Sequence, residues 1–396
     1  MKTVYLTAIH CVEKSWLSLD MVALFASVSI VGLSTGLTIP LVTLLLNQKG
    51  LASDWLGIAA AMPAIGMLLA SLISHRLAKK VSNKILLLCA SGMSAISILA
   101  LGFTDSLTWL LAWRFVMGFG CGLLVVLGET WVNVISTPRW RGRVVAAYAT
   151  MYTICQVAGP SILAWFGSNA VWPIWIAFAL NAMGFALLLP SKCDMNLDTD
   201  SHHSLSPWKV IAYVPAIILA IFTFAFFDTA MLALLPLYGL QYGLSEQIAV
   251  LAVSVLFIGD AVFQMPLGWL ADKLGAARVH VGSAAVFVVS LLCLPWVMGS
   301  GLLWVMLVIM GASAGGLYTL GLIRVGGHFQ GQDLIAANAA IGIVWGIGSL
   351  AGPLLSNALM GAVGSNGLLY GLVALTLGFL WCSRLPQSKA IALQEV

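Results

Sequence analysis

Charge is what this sequence has least of: only 8% of its 396 residues are Asp, Glu, Lys or Arg, against about 25% in an ordinary soluble domain. A water-solvated surface cannot be built from so few, so a soluble globular enzyme is excluded. Seven cysteines fall mostly inside apolar runs or beside Lys and Arg, in no pattern that would frame disulfides or hold a metal. No Ser/His/Asp set, glycine-rich phosphate loop or HExxH helix occurs. Extended hydrophilic sequence is also scarce, the main break being 191–209. Its pair His202 and His203 has no Cys or carboxylate cage beside it and reads as solvated linker, not metal site. Neither cofactor nor metal is expected.

What the chain has instead is hydrophobic sequence, 61% of the total. Apolar stretches near the roughly 20 residues needed to cross a bilayer run over 21–47, 55–74, 85–103, 108–130, 144–166, 171–190, 210–240, 247–270, 279–298, 301–323, 335–361 and 366–383. In lipid a helix satisfies its own backbone hydrogen bonds, so each span is predicted helical. The alternating segments of about 10 residues that a β-barrel requires are absent. The first run is too long for a signal peptide core and is taken as the first span.

Punctuation repeats along the chain. Ala158-Gly159-Pro160 returns as Ala351-Gly352-Pro353 at an offset of 193, Ile39-Pro40-Leu41 as Leu235-Pro236-Leu237 at 196, and Gly118 and Gly122 as Gly311 and Gly315. Several pairs in one order at nearly one offset argue for duplicated halves: an N-terminal six-helix bundle over 1–190, a cytoplasmic linker over 191–209 and a C-terminal bundle over 210–396. Placing the N-terminus inside puts 16 of the 18 Lys and Arg on one side, leaving Lys49 outside and Arg114 within a helix. By the positive-inside rule both termini are cytoplasmic. Trp55, Trp109, Trp165, Trp172, Trp296 and Trp304 then fall at outer span ends, where such rings prefer to sit. The net charge of +4 reports topology, and no nucleic-acid partner is expected. Two six-helix halves with short loops describe a transporter that rocks about a midplane site.

Several stretches resemble the major facilitator superfamily over essentially the whole chain. Gly268-Trp269-Leu270-Ala271-Asp272-Lys273-Leu274-Gly275, followed by Arg278, is similar to the family's loop motif between helices 8 and 9; Arg114-Phe115-Val116-Met117-Gly118 resembles its fourth-helix motif. Gly159-Pro160 resembles the core of the antiporter signature, although Ala164 and Trp165 stand where further glycines are typical. Trp113-Arg114-Phe115 through Glu129-Thr130, with Arg141-Gly142-Arg143 and Ala146-Ala147-Tyr148, is most similar to the YcaD-like branch. The resemblance implies an all-α integral membrane protein of twelve transmembrane helices in two pseudo-symmetric six-helix bundles, in a bacterial inner membrane. In the first half the loop motif is degraded, with His75 before Arg76 where an acid is usual, and Asn133 replaces the helix 4 acid. In the family those acids belong to a charge relay; here the latch is weakened or titrates through His75, or His75 is a surface histidine beside solvated lysines.

Ionisable groups inside the spans are few, and each is costly, at least about 2.5 kcal/mol at the bilayer centre. Asp260 lies near the middle of the eighth span, with Gln264 one turn and Gly268 two turns on. It is a candidate proton carrier, against a buried Asp that serves helix packing. Asp228, in the seventh span before Pro236, binds a proton or cationic substrate, or else caps a freed backbone group. Arg114 either shifts a neighbour's proton or forms a fixed ion pair, and Glu129 either gates proton exit or is an interfacial acid. Tyr148, Tyr152 and Gln156 share one helical face and, like Trp345, contact an organic substrate or zip helices together. Few charges among aromatic side chains favour an amphiphilic organic substrate. The expected activity is its proton-coupled export by a monomer, partnered by protons, a small molecule and the bilayer. The alternatives are proton symport of a metabolite and a transporter-like sensor or lipid-handling protein.

Overall fold

The computed structural model describes residues 19–50, 53–78, 80–104, 106–135, 141–168, 171–191, 206–329 and 331–384. The linker histidines His202 and His203, most of 191–209 and the side chains of His75, Asn133, Arg141 and Arg143 lie outside them.

The architecture is helical throughout the described residues. Twelve helices follow the expected spans: α1 Leu19–Gln48, α2 Ser53–Ala78, α3 Asn83–Leu101, α4 Leu107–Ile135, α5 Arg141–Phe166, α6 Trp172–Leu188, α7 Pro215–Gln241, α8 Glu246–Leu274, α9 Ala276–Val297, α10 Leu302–His328, α11 Gly331–Val363 and α12 Gly367–Cys382. Among the described residues nine helices are long and apolar enough to cross a membrane, and α6 and α12 are shorter apolar helices.

One boundary departs from expectation. A short helix, Pro207–Tyr213, occupies residues assigned to the linker and to the start of the seventh span, and α7 begins afresh at Pro215. Proline accounts for both starts, because a ring at the first helical position costs no hydrogen bond. It also accounts for the break: Val214, held out of the helical region by the proline after it, has φ −124° and ψ 55°.

The chain divides into two compact units, one of Met1–Leu41 with Met62–Asp198 and one of Val42–Ala61 with Thr199–Val396. The repeat in the sequence is a repeat in packing. In α4, a Cβ on Gly118 would strike Pro63 of α2, and one on Gly122 would come within 2.7 Å of Met67 Cα and 2.9 Å of Ala70 Cβ. In α10 the paired glycines do the same work against α8, Gly311 facing Leu256 and Gly315 facing Asp260. Gly159 of α5 abuts Gly36 and Leu37 of α1, and its counterpart Gly352 of α11 abuts Phe226 of α7. Lipid is as apolar as leucine, so helices in it associate by close packing rather than by hydrophobic exclusion, and small residues let the backbones approach. The two equivalent helices α1 and α7 are the most enclosed, each with 83% of its most apolar window buried.

Proline punctuates these helices at matched places, Pro40 with Pro236 and Pro160 with Pro353. Each removes one N–H and leaves the carbonyl four residues earlier without its helical partner. Those carbonyls require other donors, since lipid supplies none.

Adding a methyl to Gly311 should lower stability by about 1–3 kcal/mol, the usual cost of overpacking, because the Leu256 carbonyl blocks it. Gly326→Ala, where space is open, should be tolerated. Thermal unfolding in detergent compares them, and equal melting temperatures would remove the close crossing as a determinant of stability.

Candidate functional site

Asp260 sits on α8 at 5% exposure, with its carboxylate against the Gly315 backbone of α10. Its Oδ1 accepts a hydrogen bond from Nε2 of Gln264, one turn along, at 3.2 Å. That is a neutral partner. The notch has a cause in sequence, since any side chain at 315 would occupy the carboxylate's position. The wall beyond it is polar: Ser283 of α9 donates to the Ser313 carbonyl of α10 at 2.9 Å, and Gly316 lies against that same serine hydroxyl. Asp260 is thus a buried acid at the crossing of α8 and α10.

Asp228 is buried at 7% exposure on α7. Its neighbour Thr229 answers a backbone group freed by proline. Pro353 deprives the Ser349 carbonyl of α11 of its helical donor, and the Thr229 hydroxyl reaches that oxygen at 3.0 Å while also lying 3.1 Å from the Ala225 carbonyl. Sequence reading passed over Thr229; the signal available was its place beside Asp228 in the helix paired with Pro353.

Arg114 of α4 is fully buried, and its guanidinium donates to the Thr38 carbonyl of α1 at 2.9 Å. Thr38 stands two residues before Pro40, and its own hydroxyl donates to the Ser34 carbonyl at 2.6 Å. A carbonyl in α1 thus shares the charge. Glu129, further along α4, reaches accessible surface. Beside it Gly128 faces the Tyr148 hydroxyl of α5, which is buried without a hydrogen-bond partner among the described residues.

On α5 the expected Tyr148, Tyr152 and Gln156 face runs into helix packing. The Tyr152 carbonyl and the Gln156 backbone lie against Gly32 and Gly36 of α1, and Gln156 is 3% exposed. Trp345 of α11 has aromatic company that sequence reading missed. Its ring centroid is 5.0 Å from Tyr318 of α10 and 5.5 Å from Phe224 of α7, and the last two stack at 5.3 Å and 19°. Three helices meet there, and no spacing within any one of them announces it.

The loop motif is compact. Gly275 alone separates α8 from α9, with φ +90° and ψ 128°, a conformation that residues with a Cβ rarely adopt. Asp272, Lys273 and Arg278 are exposed around it, Gly268 is half-buried, and the Lys273 ammonium lies 3.8 Å from the Trp269 ring centroid. In the first half the joint between α2 and α3 is longer, from the end of α2 at Ala78 to Asn83, and Arg76 is exposed.

Comparison with known proteins decides the family. The model of the Major Facilitator Superfamily matches residues 24–256 and 246–392. The chain belongs to that superfamily. Among its superfamily relatives, the uncharacterized MFS-type transporter YfkF of Bacillus subtilis (strain 168) is 26% identical over 372 residues, covering 89% of this chain and 92% of YfkF. The uncharacterized MFS-type transporter YcaD of Escherichia coli O6:K15:H31 is 26% identical over 345 residues, covering 84% and 87%. Two solved structures share the superfamily fold. A D-xylose-proton symporter superposes with a TM-score of 0.76 at 16% identity, over 93% of this chain and 98% of its own. The nucleoside transporter NupG superposes at 0.72 and 12% identity, over 93% and 98%. The chain is a multi-pass membrane transporter of small molecules and not an enzyme.

Replacing Thr229 by valine keeps its shape and removes the hydroxyl from the Ser349 carbonyl. A buried acceptor left unsatisfied costs about 1–3 kcal/mol, so Thr229→Val should melt lower and Thr229→Ser should recover most of the difference. Equal thermal stability of all three in detergent would show that the carbonyl is satisfied otherwise.

Proposed function

We propose that this superfamily member is a proton-coupled secondary transporter that works by alternating access and exports a small amphiphilic organic compound across a bacterial inner membrane, with both termini cytoplasmic. The observation that carries the reading is the buried carboxyl of Asp260, lodged against the α10 backbone with neutral Gln264 as its one hydrogen-bond partner among the described residues.

A carboxylic acid in such a slot is compatible with tight packing of α8 on α10. An ionised carboxylate there lacks compensation and draws water. Loss of the proton therefore favours separation of α8 from α10, and its return favours closure, which ties protonation to helix position. Asp228, one helix away and also buried, is proposed as a second titrating or cation-binding group. Arg114 is proposed to set the electrostatics of the first half, and Glu129, at accessible surface, to pass protons to the aqueous side. Gln264, Tyr148, Tyr152, Gln156 and Trp345 are proposed to line the substrate path. For the two tyrosines and Gln156 that path shares the residues with the α1–α5 contact.

The halves 1–190 and 210–396 are proposed as the moving bodies, joined by 191–209. Gly268, Asp272, Lys273, Gly275 and Arg278 form the proposed second-half gate, and His75 with Arg76 the first-half one.

Everted membrane vesicles test this. Adding a transported compound should make an acid lumen more alkaline if protons leave as substrate enters, whereas symport acidifies it. Asp260→Asn should abolish gradient-driven uptake and leave exchange of substrate for substrate. Driven uptake equal to wild type in the Asn variant would overturn the assignment of Asp260, and no flux of any compound would favour a sensor.

A further inference from the structure

The second unit holds a cation that the transport reading does not use. Arg324 is half-buried near the end of α10, one turn before His328, whose Nδ1 approaches the Arg324 carbonyl at 2.7 Å. Its guanidinium faces Nδ1 of His280 on α9 at 3.2 Å. Arginine only donates, so that nitrogen accepts and the ring proton resides on the buried Nε2. The imidazole is wholly enclosed and packs on the Phe379 ring of α12, with centroids 4.6 Å apart.

A neutral imidazole fixes the guanidinium in place and leaves its charge intact, where a carboxylate would have cancelled it. No carboxylate meets Arg324 among the described residues. Further positive charge lies on the neighbouring helix ends, beside the exposed Asp272 and Lys273 of the α8–α9 joint: Arg278 lies two residues before His280, Arg384 lies five after Phe379, and both are exposed. The start of α9 and the ends of α10 and α12 thus present three arginines on one membrane face, with His280 bridging the helices.

We infer that these ends form a binding site for the phosphate headgroup of an anionic phospholipid, with Arg324 as its anchor. Two features favour a lipid over a soluble anion. Arg324 sits about 6 Å inside the end of α10 at helical rise, a depth suited to a headgroup and reached by a snorkelling arginine. The neighbouring surface is apolar, with Ile323 of α10 and Leu377 and Trp381 of α12 exposed, as acyl chains require. Basic pockets between transmembrane helices recognise phospholipid headgroups in this way. The inference does not depend on what the protein transports.

Native mass spectrometry of the detergent-purified protein tests it, with cardiolipin, phosphatidylglycerol and phosphatidylcholine added in turn. Cardiolipin and phosphatidylglycerol should be retained in preference to phosphatidylcholine. Arg324→Gln should weaken cardiolipin binding about fivefold, the share of one basic side chain at a charged membrane surface, and Arg324→Lys should weaken it less. If Arg324→Gln fails to fold, Arg278→Gln and Arg384→Gln, both at exposed positions, should each reduce retention. Equal retention of the three lipids, or retention unchanged in every variant, overturns the site. Sodium phosphate protecting against heat as strongly as cardiolipin overturns the lipid as its occupant.

Discussion

The structure depends on backbone-to-backbone contact at a few glycines. In a soluble bundle a leucine removed from the interface forfeits hydrophobic burial, but lipid offers each helix an equally apolar environment when it is alone. Association then rests on how closely two backbones approach. The Gly118 contact of α4 with α2 and the Gly311 contact of α10 with α8 are the same solution at matched places in the two units. Asp260 is set at such a crossing, because a polar group can be carried into the membrane only where protein surrounds it.

Chemistry separates the two units where packing unites them. At the offset of 193 residues, Asp260 corresponds to Met67 and Arg114 to Leu307. The acid has an apolar counterpart facing Gly122, and the base has one on α10. Duplication supplied two similar scaffolds, and the ionisable groups were placed in different ones. A carboxyl against Gly315 and a guanidinium against the Thr38 carbonyl thus each occur in one unit, opposite an apolar residue in the other.

The fold was largely legible because its rules act along the chain. Span length, the positions of Lys and Arg, and the repeated Gly and Pro anticipated twelve helices. The miss at 207–215 came from two prolines eight residues apart, whose steric effect is local but was masked by an apolar run reading as one span. The placing of Asp260 and Gln264 one turn apart on a polar face was legible too, since both belong to one helix. Contacts between helices were not. Phe224, Tyr318 and Trp345 lie on three helices, His280 and Arg324 on two, and Thr229 reaches a carbonyl freed by a proline 124 residues away. Rotation of each helix about its axis decides these meetings, and a helix that is apolar all round carries too little periodic signal to report it.

The one-residue joint at Gly275 makes α8 and α9 a bent lever. Asp260 lies 15 residues from that glycine, an arm of about 22 Å at helical rise. If α8 pivots about its contact with α10, a tilt of about 5° displaces the far end of that arm by about 2 Å. A single residue has too little slack to absorb such a movement, so the start of α9 must follow, carrying His280 with it. On the proposed mechanism, a rearrangement begun at one buried oxygen would thereby reach the joint at Gly275.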